Sequence, residues 1–381
     1  MQIAKPFFDN AEIDALRECL NSGWVTQGPA TEKFEQLVAT RHQVNYAMAT
    51  TSCTAALHLS ILALGLGPGD EVIVPAFTWV TSAHCAEYVG AKAVFVDVDP
   101  ATFNLSMVAL ESALTSRTRA IIAVHLFGLA APMNEIMQLA RERDIAVIED
   151  AACAIGTRYR GQPVGGIGDF GCFSFHPRKV VTTGEGGMVT TNSTDYAQRI
   201  RSLRNHGATG LPRATNAAPH GPWTMANFDI LGYNLRLSDL QAAVGVAQMA
   251  KLERLLAERS AAAHRYSSLL ADVSELVVPT VIDTDGHTFQ SYVVRLLDGQ
   301  RDQRNAVMTL LAEHGIQTRP GTHAVPRLGY YREKYALRSQ DFPVACDLED
   351  TTITLPIFPG ITDNDQSQVA KLIKQGLCKG L

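Results

Sequence analysis

Seven short apolar runs, most of them rich in β-branched residues, recur through the first half of the chain, and they restrict the fold more than any other feature. They read VNYAMAT from Val44, EVIVP from Glu71, KAVFVDV from Lys92, AIIAVH from Ala120, IAVIED from Ile145, GCFSF from Gly171 and GMVTT from Gly187. A strand that is apolar on both sides has to be covered on both sides, which is the situation of a mostly parallel sheet wrapped by helices. Most of the early gaps are long enough for one helix each. Leu57, Ile61 and Leu64 share one helical face, as do Met133, Ile136, Met137 and Ala140. The pattern predicts an α/β fold built on a mostly parallel seven-stranded sheet with helices on both faces.

The rhythm then changes. Residues 208–227 are rich in Gly, Pro, Asn and Thr and read as a long loop, a candidate lid. A long helical pattern follows over Ser238–Arg259. After it come a helix (Ser260–Ala271), a strand (Phe289–Leu296), a helix (Arg301–His314) and a final strand and helix (Thr351–Leu355, Asp365–Leu377). These elements predict a smaller α+β unit. The expected division is a large domain over 1–258 and a small C-terminal domain over 259–381.

Composition excludes several classes. The 381 residues carry a formal net charge of −5, which argues against a nucleic-acid partner. The apolar stretches Ala55–Leu66 and Ala120–Ala131 are too short to span a bilayer, and no signal peptide is legible, so no membrane role is expected. Cys19, Cys53, Cys85, Cys153, Cys172, Cys346 and Cys378 contain no CxxC pair. That spacing offers no metal site and suggests a reducing, cytoplasmic setting.

Gly166, Gly168 and Gly171 spell GxGxxG, but they precede a strand instead of following one, so they read as turn glycines and not as a dinucleotide fingerprint. Three other segments carry chemistry. Thr51-Ser52-Cys53-Thr54 lies between a strand and an apolar helix, where backbone and hydroxyl donors suit a phosphate or form a plain N-cap. Glu149-Asp150 ends an apolar strand, where α/β sheets bind ligands; a helix N-cap is the alternative. SFHPRKVVTTGEGG, from Ser174 to Gly187, holds Lys179 in a loop flanked by Pro177 and three glycines. A lysine is most often a surface residue, but in such a loop it can serve as an amine nucleophile toward carbonyls. Together these fit pyridoxal 5′-phosphate, which needs a lysine, a carboxylate for its ring nitrogen and donors for its phosphate. Trp79 in PAFTWV is the candidate aromatic platform, with a core role as the alternative.

At these residues the sequence resembles the DegT/DnrJ/EryC1/StrS family of sugar aminotransferases, within the fold type I pyridoxal-phosphate enzymes. The match runs nearly the whole chain through SGWVTQGP (Ser22–Pro29), TSCTAALH (Thr51–His58), GPGDEVIVPAFTWV (Gly67–Val80), IEDAACAIGT (Ile148–Thr157), GDFGCFSFHPRK (Gly168–Lys179) and GYNLRLSDLQAAVG (Gly232–Gly245). The resemblance implies that Lys179 forms the Schiff base and Asp150 pairs with the pyridine nitrogen. It implies that Ser52, Cys53, Thr54 and Ser174 surround the phosphate and that Trp79 stacks on the ring. Asn234 would reach the cofactor of a second subunit, making a homodimer with shared sites. Arg319 and His323, in TRPGTHAV, would contact the acceptor. Glutamate would be the donor, and a keto sugar, nucleotide-linked and 4-keto-6-deoxy as in perosamine-synthase-like members, the acceptor. Other readings are amination at C3, an unlinked keto sugar, a dehydratase or a regulatory protein. Lys179 argues against the dehydratase, whose relatives carry His there. Cys153 stands where the family usually has Gln, and Ile155 where it often has His.

Overall fold

Val72, Val74, Ile122 and Ile148 are fully buried on one face of a central sheet, while Ile73, Ile121 and Val147 are fully buried on the other. This is the double coverage that the apolar runs require. The computed structural model describes residues 1–209, 225–279, 281, 286–297 and 300–378. Its main sheet has seven strands: β1 (Tyr46–Thr50), β2 (Glu71–Pro75), β3 (Lys92–Val96), β4 (Thr118–Val124), β5 (Ala146–Asp150), β6 (Phe170–Ser174) and β7 (Gly187–Thr191). Their spatial order is β1-β7-β6-β5-β4-β2-β3. Only β7 runs against its neighbours. Helix Cys53–Leu64 covers one face and helix Met133–Arg143 the other.

A second, antiparallel sheet follows, made of β8 (Leu276–Val277), β9 (Tyr292–Leu296) and β10 (Thr352–Leu355). Helices Arg301–Glu313 and Asp363–Cys378 pack with it around their own apolar cluster. The pattern over Ser238–Arg259 proves to be two helices, Asp239–Met249 and Leu252–Leu269, and the second runs through residue 258 without a break. No Gly or Pro marks the change of direction. It coincides with Lys251, whose amine reaches Asp9 at 2.6 Å and Glu12 at 2.7 Å, a tertiary contact that helical periodicity cannot reveal. Leu252 and Leu255 pack into a cluster of the first lobe with Phe34 and Phe173, and Ala262, Ala263 and Tyr266 into the cluster of the C-terminal lobe.

Several strips of backbone join the parts of the molecule, among them Thr288, whose N–H donates to the Gly128 carbonyl at 3.2 Å. The carbonyls of Met1 and Ile3 accept the N–H groups of Gln317 (2.9 Å) and Ile357 (3.2 Å), so the first residues belong with the C-terminal lobe. Phe77–Thr78 pairs with His323–Ala324. Of the candidate lid, Ala208–Thr209 pairs with Asn227–Phe228, and residues 210–224 lie outside the described residues. Among the described residues no helix is long and apolar enough to cross a membrane.

Candidate active site

The carboxyl ends of β4, β5 and β6 open on a cavity of about 430 Å3, the usual ligand position in such a sheet. Glu149 and Asp150 close β5 and, being consecutive, point to opposite faces. Asp150 faces the cavity. Its Oδ2 accepts the Ser82 hydroxyl at 2.6 Å and its Oδ1 the Ala152 N–H at 3.2 Å. Glu149 turns away and is fully buried. It accepts the N–H groups of Gly165 (2.7 Å), Ile167 (2.8 Å) and Gly168 (2.8 Å) and lies 3.0 Å from His125 Nε2. Burial opposes its charge, but His125 and these amides hold its pKa below the ordinary value. The loop that carries GxGxxG therefore wraps a carboxylate ahead of β6, and of the motif glycines it is Gly168 whose amide takes part.

After β6 the chain turns through Pro177, and the Lys179 N–H donates to the His176 carbonyl at 2.8 Å. This turn brings the half-buried Lys179 amine to the cavity, with Nζ 3.1 Å from Cys153 Sγ. Helix Cys53–Leu64 points its first turn at the same space. Ser52 is its N-cap, with Oγ accepting the Ala55 N–H at 3.1 Å. The Ala56 N–H goes to the Ser52 carbonyl, which leaves the amides of Cys53 and Thr54 as the free donors of the first turn. Gly187 makes this possible: a Cβ there would stand 2.6 Å from the Cys53 nitrogen.

Ser52, Cys53, Thr54, Trp79, Asp150, Cys153, Ser174, Lys179 and Arg319 all line the cavity. Cys53 does so through its backbone. Its thiol is buried against the Cys172 carbonyl at 3.6 Å, and burial pushes its pKa well up. Trp79 is half exposed, with its ring 5.6 Å from that of His323. His323 itself lines a neighbouring cavity, with Nδ1 3.8 Å from Glu349 Oε1. Asn234 is exposed and off the cavity of its own chain. Sequence reasoning missed Ser82, His125 and Gln290. Ser82 follows Trp79 by three residues, one helical turn, a spacing that could have signalled it. Gln290 donates to the Arg178 carbonyl at 2.7 Å from far along the chain, and no local signal announces it.

An amine, a buried carboxylate, a helix start with unused amides and an exposed indole thus meet at one cavity. That donor set fits pyridoxal 5′-phosphate, and with this fold it defines a fold type I pyridoxal-phosphate-dependent enzyme. The chain belongs to the DegT/DnrJ/EryC1/StrS aminotransferase family, whose model matches residues 6–374. It is 38% identical over 379 residues to the GDP-perosamine synthase of Caulobacter vibrioides, covering 99% of this chain and 98% of that one. It is 35% identical to the spore coat polysaccharide biosynthesis protein SpsC of Bacillus subtilis, over 97% and 95% of the two chains. Among solved structures, Spr1654 of Streptococcus pneumoniae, described as a sugar aminotransferase, superimposes with a TM-score of 0.93 in its PMP form, at 29% identity and with 100% of both chains covered. Its PLP form gives 0.92. The protein is a sugar aminotransferase that uses pyridoxal 5′-phosphate to move an amino group from a donor to a keto sugar.

Proposed function

We propose that the protein transfers the amino group of glutamate to C4 of a 4-keto-6-deoxy sugar linked to a nucleoside diphosphate. The observation that carries the chemistry is that the Lys179 amine and the Asp150 carboxylate face one cavity at the strand ends. The acceptor follows from the likeness to a GDP-perosamine synthase over nearly the full length of both chains. When bound, pyridoxal phosphate supplies an exchangeable carbonyl carbon and a ring that withdraws electrons from the atom beside it. Asp150 holds the ring nitrogen protonated, and Ser82 fixes the orientation of that carboxylate. The Cys53 and Thr54 amides with the Ser52 and Ser174 hydroxyls hold the phosphate, and Trp79 offers its ring. Lys179, as general base and then acid, carries a proton away from the donor α-carbon. Arg319 and His323 hold the acceptor.

The active unit in this reading is a homodimer. Asn234 is exposed and stands in a stretch with exposed Phe228, Ile230 and Leu231, as suits a residue that serves a partner's cofactor. Six free cysteines among the described residues support a cytoplasmic setting. The division near residue 258 is supported by the change of core partner along helix Leu252–Leu269. The test is to convert the protein with glutamate to its pyridoxamine form and offer a panel of keto sugars. Return of the starting absorbance only with nucleotide-linked 4-keto-6-deoxy sugars is expected. Return with a 3-keto or an unlinked sugar instead would overturn the acceptor assignment.

A further inference from the structure

The turns after β4, β5 and β6 bring Phe127, Cys153 and Lys179 to the cofactor cavity. One short segment of the C-terminal lobe, residues 288–291 just ahead of β9, reaches a backbone carbonyl on each of the three turns. After β4, the Thr288 N–H donates to the Gly128 carbonyl at 3.2 Å and the Ser291 N–H to the Phe127 carbonyl at 3.4 Å. After β5, the Thr288 hydroxyl donates to the Cys153 carbonyl at 3.2 Å. After β6, the Gln290 side-chain amide donates to the Arg178 carbonyl at 2.7 Å, one residue before Lys179. The approach is close: a Cβ on Gly128 would stand 2.3 Å from Thr288 Oγ1. The segment is itself held from behind. The fully buried Arg259 donates to the carbonyls of Phe289 and Gln290, each at 3.3 Å, and His287 stacks on Phe289 with ring centroids 4.1 Å apart. Phe289 has a φ of 46°, a left-handed conformation that a phenylalanine keeps only where its surroundings impose it.

Resting on the reading of Lys179 as the group that carries the proton, we propose that Gln290 is a positioning residue for it. The Gln290 amide ties the turn after β6 to the C-terminal lobe and so sets where the Lys179 amine stands. A lysine side chain is long and flexible, so the place of its amine depends on the backbone that carries it and on what the amine touches. The amine of Lys179 meets the Cys153 thiol, a weak partner. The Arg178 and Lys179 N–H groups both return to His176, inside the turn. Gln290 supplies the bond from outside it. Because the same segment also holds the turns after β4 and β5, it fixes the three turns relative to one another. Proton transfer is sensitive to such placement, and an error of about 1 Å costs about a hundredfold in rate.

Gln290→Met keeps the length and the apolar stem of the side chain and removes the amide. Gln290→Asn keeps the amide but is too short to reach Arg178, and it carries the test if the methionine variant does not fold. Each holoenzyme, saturated with pyridoxal phosphate, is mixed with glutamate alone and the cofactor absorbance is followed through one half-reaction. The rate constant at saturating glutamate should fall about tenfold or more while the Kd for glutamate stays within about threefold, since the amide acts on Lys179 and not on the donor. The visible circular dichroism of the bound cofactor, read before glutamate is added, should change as well. A rate constant within about twofold of wild type in a folded variant, or a loss confined to the Kd, would overturn the proposal. Wild-type holoenzyme that does not respond to glutamate would instead sink the glutamate reading. The circular dichroism band would then decide on Gln290, and an unchanged band would remove it from the site.

Discussion

Glu149 and Asp150 are adjacent carboxylates on one strand, both buried, yet the two faces of the sheet use them differently. Behind the sheet Glu149 meets three amides and His125, so its acceptor sites are filled by the protein. In front, Asp150 has one hydroxyl and one amide and turns the rest of its capacity toward the cavity. A carboxylate saturated by its own chain fixes the fold. One left with spare acceptor sites beside a cavity is available to a ligand. Adjacent residues of one class thus part into scaffold and chemistry by the alternation of the strand.

The contrast is tested most severely at the front. Lys179→Ala should lower glutamate-dependent turnover about 10,000-fold, as loss of the catalytic amine requires. Thermal stability should change little, because the hydrogen-bond partner of its amine is the weakly accepting Cys153 thiol. Borohydride reduction should fix cofactor mass on the wild-type chain and not on the variant. A variant with wild-type turnover would refute the assignment of Lys179.

Exchanging the two carboxylates for amides comes next. Asp150→Asn should cost about a hundredfold in turnover or more, with stability within about 1 kcal/mol of wild type, since Ser82 can still donate to the amide oxygen. Glu149→Gln should do the reverse. Its NH2 group would face donors, and the buried network should lose about 3 kcal/mol or more. The folded fraction should keep most of its activity. Denaturant melts with kcat per folded molecule check both, and equal stability losses in the two variants would erase the contrast.

Much of this was readable in the chain because the responsible physics is local. A β-branched run demands cover on both faces wherever it lies, and a hydroxyl run between strand and helix announces an N-terminus whatever surrounds it. The roles that escaped depend on encounters. Nothing near Cys53 says that its thiol enters the core while its amide faces the cavity. The cavity lined by His323 draws Arg301 and Arg304, Arg319, and Glu349 with Asp350 from three separate segments, and no single window of sequence contains them. His323 sits across Trp79 from the cofactor cavity because its strand pairs with Thr78, a register settled only by the joining of the lobes.

The back of the sheet should also show itself in acid. His42 is buried there, with Nδ1 2.7 Å from the Val164 carbonyl and Nε2 without a partner. A second proton would have no acceptor, and burial lowers its pKa to about 4. The unfolded chain takes up that proton first as pH falls below about 6.5. Stability is therefore full above that pH and declines down to about pH 4. Between pH 7 and 5 the loss from His42 is about 2 kcal/mol. His287, lowered to about 3 by burial, acts in the same direction. His42→Phe, melted at both pH values, should lose about 2 kcal/mol less than wild type over that interval. An unchanged pH slope would remove His42 from the acid-sensitive set.

Cys153 offers the smallest and finest test, because it belongs to the front by position and yet brings weak chemistry. Its thiol lies 3.1 Å from the Lys179 amine, and a thiol is a poor donor and a poor acceptor. If the front acts through strong, unsaturated groups such as Asp150, exchange of this weak one should be tolerated. Cys153→Ser keeps the size and strengthens the acceptor, so it should leave kcat and the KM for glutamate within about threefold and stability within about 1 kcal/mol. A tenfold fall in kcat with KM unmoved would mean that the softness of sulfur beside Lys179 is itself needed, and spare hydrogen-bonding capacity would no longer suffice to describe the front face.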